Sequence, residues 1–257
     1  MDEVLLTKRD HVALVTLNRP EAMNAMNTAL CKGLHETLDA LEDDDGTWVI
    51  VITGAGEKSF CAGIDLRERK GLDKQATEDQ RKRVVFPLLA RMNHMTKPMI
   101  AAVNGVALGG GCEIALSADI RIASPSAKFG QTEIRWGIIA CGGACQRLPS
   151  LIGIGRTKEF LLTGRIIDAG EADRIGLVNR VVEHDQLLDT CYALADEITA
   201  NAPTAVRQTK KCLDHWADLD QGLAFDEEAS WLCYQTEDRL EALSAFAEKR
   251  KPNFRNR

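Results

Sequence analysis

The chain has 257 residues, 45% of them hydrophobic and 27% charged, with a formal net charge of −6. That balance fits a folded protein with a sizeable core, and the negative charge argues against nucleic acid or an anionic membrane surface as the main partner. No apolar run approaches the roughly 20 residues of a membrane span, and the opening MDEVLLTKRD lacks the apolar segment of a secretion signal, so the expected compartment is cytoplasmic.

Taken in chain order, HVALVTLNRP reads as a strand ended by Pro20, and WVIVITG as a buried strand ended by Gly54. Between them, NTALCKGLHETLDALEDDD sets Leu30, Leu34, Leu38 and Leu41 at helical spacing. TEDQRKRVVFPLLARMNHM predicts a second helix, kinked at Pro87. KPMIAAVNG and ADIRIAS are strands on either side of a helical CEIALSA, and LVNRVV is a further strand. In DAGEADRIG, Asp168 is placed to cap a helix, Glu171 to reach back, and Gly176 to stop it. Beyond about residue 184 the strand signals cease, and LLDTCYALADEITA, PTAVRQTKKCLDHW and AFDEEASWLCYQTEDRLEALSAFAEKR read helical. The chain thus divides into a mixed α/β core, residues 1–183, and a helical segment, residues 184–257. Alternation of strands and helices implies parallel pairing through crossovers.

Eight cysteines, including Cys141 and Cys145, are scattered without a CxxC pair, as free thiols would be. Cys141 and Cys145 are four apart but have no histidine near them in sequence, so no metal site is expected.

The chemistry concentrates in NGVALGGGCEIALSADIRIASPSAKFGQTEIRWGII, residues 104–139. Gly109, Gly110 and Gly111 follow a strand and open a helix, where bare backbone approaches a ligand and N–H groups point at developing negative charge. Neither GxGxxG nor a GK[ST] phosphate loop is present, so a turn that stabilises an oxyanion is the better functional reading. Glu113 in the first helical turn and Glu133 after Gly130 are two carboxylates in apolar surroundings. Such a pair can work as acid and base on one carbon, with burial raising both pKa values.

Six segments, LNRPEAMNAMN, FCAGIDLRE, KPMIAAVNGVALGGGCEIALSADIRIA, AKFGQTEIRWGI, LLTGRIIDAGEADRIGLVNRVV and AFAEKRKPNF, together resemble the crotonase, or enoyl-CoA hydratase, superfamily along essentially the whole chain. The resemblance implies a coil of ββα units with a helical C-terminal oligomerisation segment, trimers or hexamers, acyl-CoA thioester substrates, and neither metal nor redox cofactor. By motif position it makes the N–H groups of Ile64 and Gly110 the oxyanion hole, and Glu113 and Glu133 the acid–base pair of the two-glutamate hydratase branch. It also points to Ala62, Asp65, Leu66, Arg67 and Gly109 along the substrate, with Arg67 and Lys249 toward the CoA phosphates. The implied reaction is water addition across a 2,3-double bond, or its reverse. The alternatives are another reaction on this fold (enoyl-CoA isomerisation, or dehydration of a hydroxyacyl-CoA such as carnitinyl-CoA) and a catalytically weak relative serving in binding or assembly.

One segment departs from the pattern. IACGGACQRL stands where hydratases commonly read IPGAGGTQRL, so Cys141 replaces a glycine near the acyl end. Trp136, three residues past Glu133, is a candidate wall of the acyl pocket. In the tail, Leu187, Leu188, Leu213, Trp216, Phe225 and Trp231 exceed what a lone peripheral layer would leave uncovered.

Overall fold

A computed structural model describes residues 2–214, 232 and 236–257. The strands are β1 (Val4–Arg9), β2 (Val12–Leu17), β3 (Val49–Gly54), β4 (Ser59–Cys61), β5 (Met99–Val103), β6 (Val106–Leu108), β7 (Ile120–Ala123), β8 (Lys128–Gly130), β9 (Ile166–Asp168) and β10 (Arg180–Val181). They form a six-stranded sheet in the order β1-β2-β3-β5-β7-β10 and a four-stranded sheet in the order β4-β6-β8-β9. Within each sheet all pairs are parallel except β1/β2 and β8/β9.

The helices are α1 (Thr28–Asp43), α2 (Leu66–Arg69), α3 (Lys74–Gln80), α4 (Phe86–Asn93), α5 (Gly110–Ser117), α6 (Ala144–Ile152), α7 (Ile154–Thr163), α8 (Ala169–Arg174), α9 (Leu187–Thr199), α10 (Pro203–Leu213) and α11 (Glu237–Glu248). Each turn of the coil runs a strand through the large sheet, a strand through the small one, and a helical stretch: β3–β4–α2 to α4, β5–β6–α5, β7–β8–α6 and α7. This is the expected coil of ββα units.

Period-two alternation explains why β3 is apolar throughout. Ile50 and Ile52 face the main core with Leu30, Leu34 and Leu38 of α1, while Val49 and Val51 face a second cluster with Leu187, Cys191 and Ala195 of α9. The turn between β3 and β4 is clamped by two buried amides. Asn104 donates to the carbonyls of Gly54 (2.9 Å) and Gly56 (2.6 Å), and Asn24 to those of Ser59 (2.8 Å) and Ala55 (3.0 Å). That clamp sets the stretch from Cys61 to Asp65 against the start of α5.

Two local expectations are corrected. Pro87 does not kink a bare α-helix: a π-turn, Arg81–Val85, joins α3 to α4, and Phe86 N–H reaches back to the Arg81 carbonyl. The wide turn lies immediately N-terminal to the proline, which occupies the first turn of α4, where no N–H is needed. Asp168 caps α8 as expected, accepting from Glu171 N–H at 2.8 Å, and Gly176 follows at φ +81°. The Glu171 carboxylate, however, does not reach back. It takes both terminal nitrogens of Arg165, at 2.5 and 3.2 Å, because a bidentate guanidinium outcompetes a lone backbone donor.

In the tail, Leu187 is buried against the large sheet and Leu213 is exposed. Trp216, Phe225 and Trp231 lie outside the described residues. Among the described residues, no helix is long and apolar enough to cross a membrane.

Candidate active site

Where β4 ends and α5 begins, two backbone segments meet. Met26 N–H bonds the Gly63 carbonyl (2.7 Å) and Asp65 N–H bonds the Met26 carbonyl (3.1 Å), so the parallel bridge uses the groups flanking Ile64. The N–H of Ile64 itself is thereby turned away from Met26. Gly110 is the first residue of α5, and its N–H is one of the four a helix leaves without an internal partner. The two segments are closely apposed: a methyl group on Gly63 would lie 2.6 Å from the Leu108 carbonyl oxygen and 3.4 Å from Gly110 N. On Gly111 it would lie 2.0 Å from the Cys61 carbonyl oxygen. Glycine at these positions is a condition of the approach.

Asp65 shapes this loop from behind. It caps α2 by accepting from Arg67 N–H (3.0 Å) and pairs with Arg19 (2.9 Å). Burial would push its carboxyl up, but Arg19 and the Arg67 N–H together hold it below the usual range.

Glu113 is 3% exposed, one turn into α5. Its carboxylate accepts from Gly142 N–H. Burial pushes its pKa up to about 7; the Gly142 and Ala144 N–H groups pull it down, while the charge of Glu133 pushes it further up. Glu133 starts a short 3₁₀ turn, Glu133–Trp136, and a methyl group on Gly109 would sit 3.2 Å from its Oε1. Gly109 also has φ +51°, which favours glycine, and its N–H bonds the Gly130 carbonyl at 2.8 Å. Burial raises the Glu133 carboxyl as well, against its own N–H and the Arg81 charge, which lower it. Both carboxylates and both backbone segments face one cavity.

The lining comprises Ile64, Gly110, Glu113, Glu133 and Cys141, together with Arg69, Arg81, Val85, Leu89, Ile138 and Ile139. The room inside, about 40 Å³, holds about three or four waters at roughly 10–15 Å³ each. The Cys141 sulfur accepts from Arg81 Nη2 at 2.8 Å; desolvation raises its thiol more than Arg81 lowers it, which disfavours the thiolate.

Other predicted contacts lie elsewhere. Trp136 is 66% exposed and outside the lining, because the 3₁₀ turn ends at Gly137 in a left-handed conformation and carries the ring outward. Leu66 and Arg67 are exposed at the start of α2, and Lys249 is exposed past the end of α11. Ala62 is half-buried in the loop between β4 and α2, where its N–H bonds the Met23 carbonyl at 3.0 Å.

Sequence reasoning passed over Arg81, although a signal was present. Arg81, Val85 and Leu89 are spaced by four, and the last two are buried, so a cation shares an apolar stripe.

The family model described as enoyl-CoA hydratase/isomerase matches residues 7–257. The chain is 45% identical to the short-chain-enoyl-CoA hydratase of Clostridium acetobutylicum, covering 100% of this chain and 99% of that one. It is 40% identical to the crotonyl-CoA hydratase of Syntrophomonas wolfei, covering 98% of each. The solved structure of an enoyl-CoA hydratase from Bacillus anthracis superposes with a TM-score of 0.96 at 39% identity, covering 99% of this chain and 100% of that one. Fold, motifs and relatives agree, and the chain belongs to the enoyl-CoA hydratase/isomerase family.

Proposed function

We propose that this protein adds water across the 2,3-double bond of an enoyl-CoA, or removes it in the reverse direction. The carrying observation is the convergence of a buried carboxylate, Glu113, a half-buried one, Glu133, and two backbone segments, those of Ile64 and Gly110, on one cavity. The N–H groups of Ile64 and Gly110 hold the thioester oxygen as it gains charge, each typically worth a few kcal/mol in the transition state. Glu113, in its ionised form, takes a proton from water as the oxygen attacks the β-carbon. Glu133, in its neutral form, delivers a proton to the α-carbon. Both pKa values are raised, so the pair can share one proton, and either carboxylate can hold it while the other is ionised. Coenzyme A enters as part of the substrate, and the proton transfers as written call on no metal or redox cofactor.

The relatives named as short-chain-enoyl-CoA and crotonyl-CoA hydratases support a short acyl group. Trimers or hexamers built through residues 184–257, in the cytoplasm, complete the reading, with Ala62, Leu66, Arg67 and Lys249 along the CoA.

The test is loss of the ultraviolet absorbance of crotonyl-CoA as water adds. Glu113→Gln and Glu133→Gln should each slow turnover by about a hundredfold or more while acyl-CoA binding persists. Near-normal turnover in either variant removes that residue from the mechanism.

A further inference from the structure

The cavity holding Glu113 and Glu133 contains two arginines that hydration does not use, Arg69 at the end of α2 and Arg81 in the π-turn. Both are half-buried. Arg69 Nε donates to Gln80 Oε1 at 3.3 Å. Arg81 donates to the Cys141 sulfur, and its guanidinium lies 5.1 Å from the centre of the Phe86 ring. Among the described residues, no carboxylate oxygen comes within 4.0 Å of a nitrogen of either guanidinium. The nearest candidate on the same helix, Glu68, is already engaged by Thr28 N–H (2.9 Å) and Gln80 Nε2 (2.8 Å).

Each guanidinium carries five N–H donors, so most of them have no protein acceptor. Two like charges here also disfavour one another. Burial and the charge of Arg81 depress the pKa of Arg69. Val85, Leu89, Ile138 and Ile139 supply the apolar part of the same lining. The other charged groups facing the cavity are the two glutamates, which Arg81 influences from beyond ion-pair distance.

We propose that this pocket selects an enoyl-CoA whose acyl chain carries a second, terminal carboxylate, bound by Arg69 and Arg81. The proposal rests on the hydratase reading for the placement of the thioester at Ile64 and Gly110. The arginines share the lining of that pocket with Ile64 and Gly110, and a carboxylate held by two guanidinium groups makes the strongest class of hydrogen bond available to it. A CoA phosphate shares this anionic chemistry, and the experiment separates the two.

Butyryl-CoA and glutaryl-CoA differ only in the terminal carboxylate, and neither can be hydrated, so calorimetry reads the subsite apart from catalysis. The intact protein should bind glutaryl-CoA at least about tenfold tighter than butyryl-CoA. Arg69→Gln and Arg81→Gln should each shrink that ratio by about threefold or more, and Arg81→Lys should retain part of it, since charge survives but the planar fork does not. Equal affinity of the intact protein for the two ligands overturns the proposal, as does a preference that survives both Gln variants. Equal weakening of both ligands also overturns it and assigns the arginines to the phosphates. Turnover of crotonyl-CoA and glutaconyl-CoA is measured alongside: a binding preference without hydration of either refutes the hydratase reading and leaves the subsite standing.

Discussion

Glu113→Gln isolates what an ionised carboxylate costs the fold. In the unfolded chain this carboxyl has its ordinary value of 4.5; in the folded protein burial pushes it up to about 7. Between those values the folded protein keeps a proton that the unfolded chain has lost. Stability therefore falls as pH rises from 4.5 to about 7 and is level above that. At about 1.36 kcal/mol per pH unit, the loss at pH 8 is on the order of 3 kcal/mol. Solvent does little to soften this, because the residue is 3% exposed. Glutamine keeps the shape and an acceptor for Gly142 N–H but cannot ionise. The variant should match the wild type near pH 4.5 and exceed it by about 3 kcal/mol at pH 8. Urea unfolding of both proteins at one protein concentration, from pH 5 to pH 8, measures the difference directly. Contributions from distant titrating groups cancel in that difference. Glu133 does not cancel, but its carboxyl loses a like-charged neighbour and shifts the result in the same direction. A difference that stays flat with pH means Glu113 ionises freely inside the fold, and the argument for a shared proton fails with it.

Gly142→Ala would put a methyl group 2.5 Å from Glu113 Oε2 and from Leu89 Cδ1; hydration should fall at least about tenfold and stability by about 1–3 kcal/mol, and normal turnover with normal melting would refute the contact. Gly110→Pro removes one N–H at a helix position that accepts proline. It should cost about a hundred- to a thousandfold in kcat, and infrared spectra of a bound thioester should show a less polarised carbonyl; an unchanged carbonyl band in the folded variant would move the oxyanion hole elsewhere. Light scattering should show a trimer or hexamer, and a fully active monomer at micromolar concentration would overturn the assembly.

The long strands and the coil were legible because their signals are local. β3 is six consecutive buried residues, and α1 repeats leucine at helical spacing. The three-residue strands β4, β6, β8 and β9 were not, since they exist by pairing across turns of the coil and carry no periodicity of their own. At the site, glycines 109 to 111 and the two glutamates stood out as residue types wrong for their apolar surroundings. Arg81 did not, because QRKR reads as part of a helix, and Arg69 entered only as one cation of the DLRERK run, a candidate for the CoA phosphates that such runs, being usually solvated, support weakly. Trp136 lies outside the lining because closeness to Glu133 in sequence says nothing of which way a turn ending at Gly137 points the ring.

The π-turn at Arg81–Val85 is, in effect, one residue inserted into a helix. Removing a single residue there would restore regular winding and rotate everything N-terminal to it by about 100° about the axis. Arg81 would leave the cavity, and Gln80 would lose its tie to Glu68, while α4 and its packing against α1 stayed in place. A single-codon deletion is thus a large step in acyl recognition and a small one in the core. Lineages of this fold could exchange one acyl preference for another by length change in this helix, without passing through an unstable intermediate.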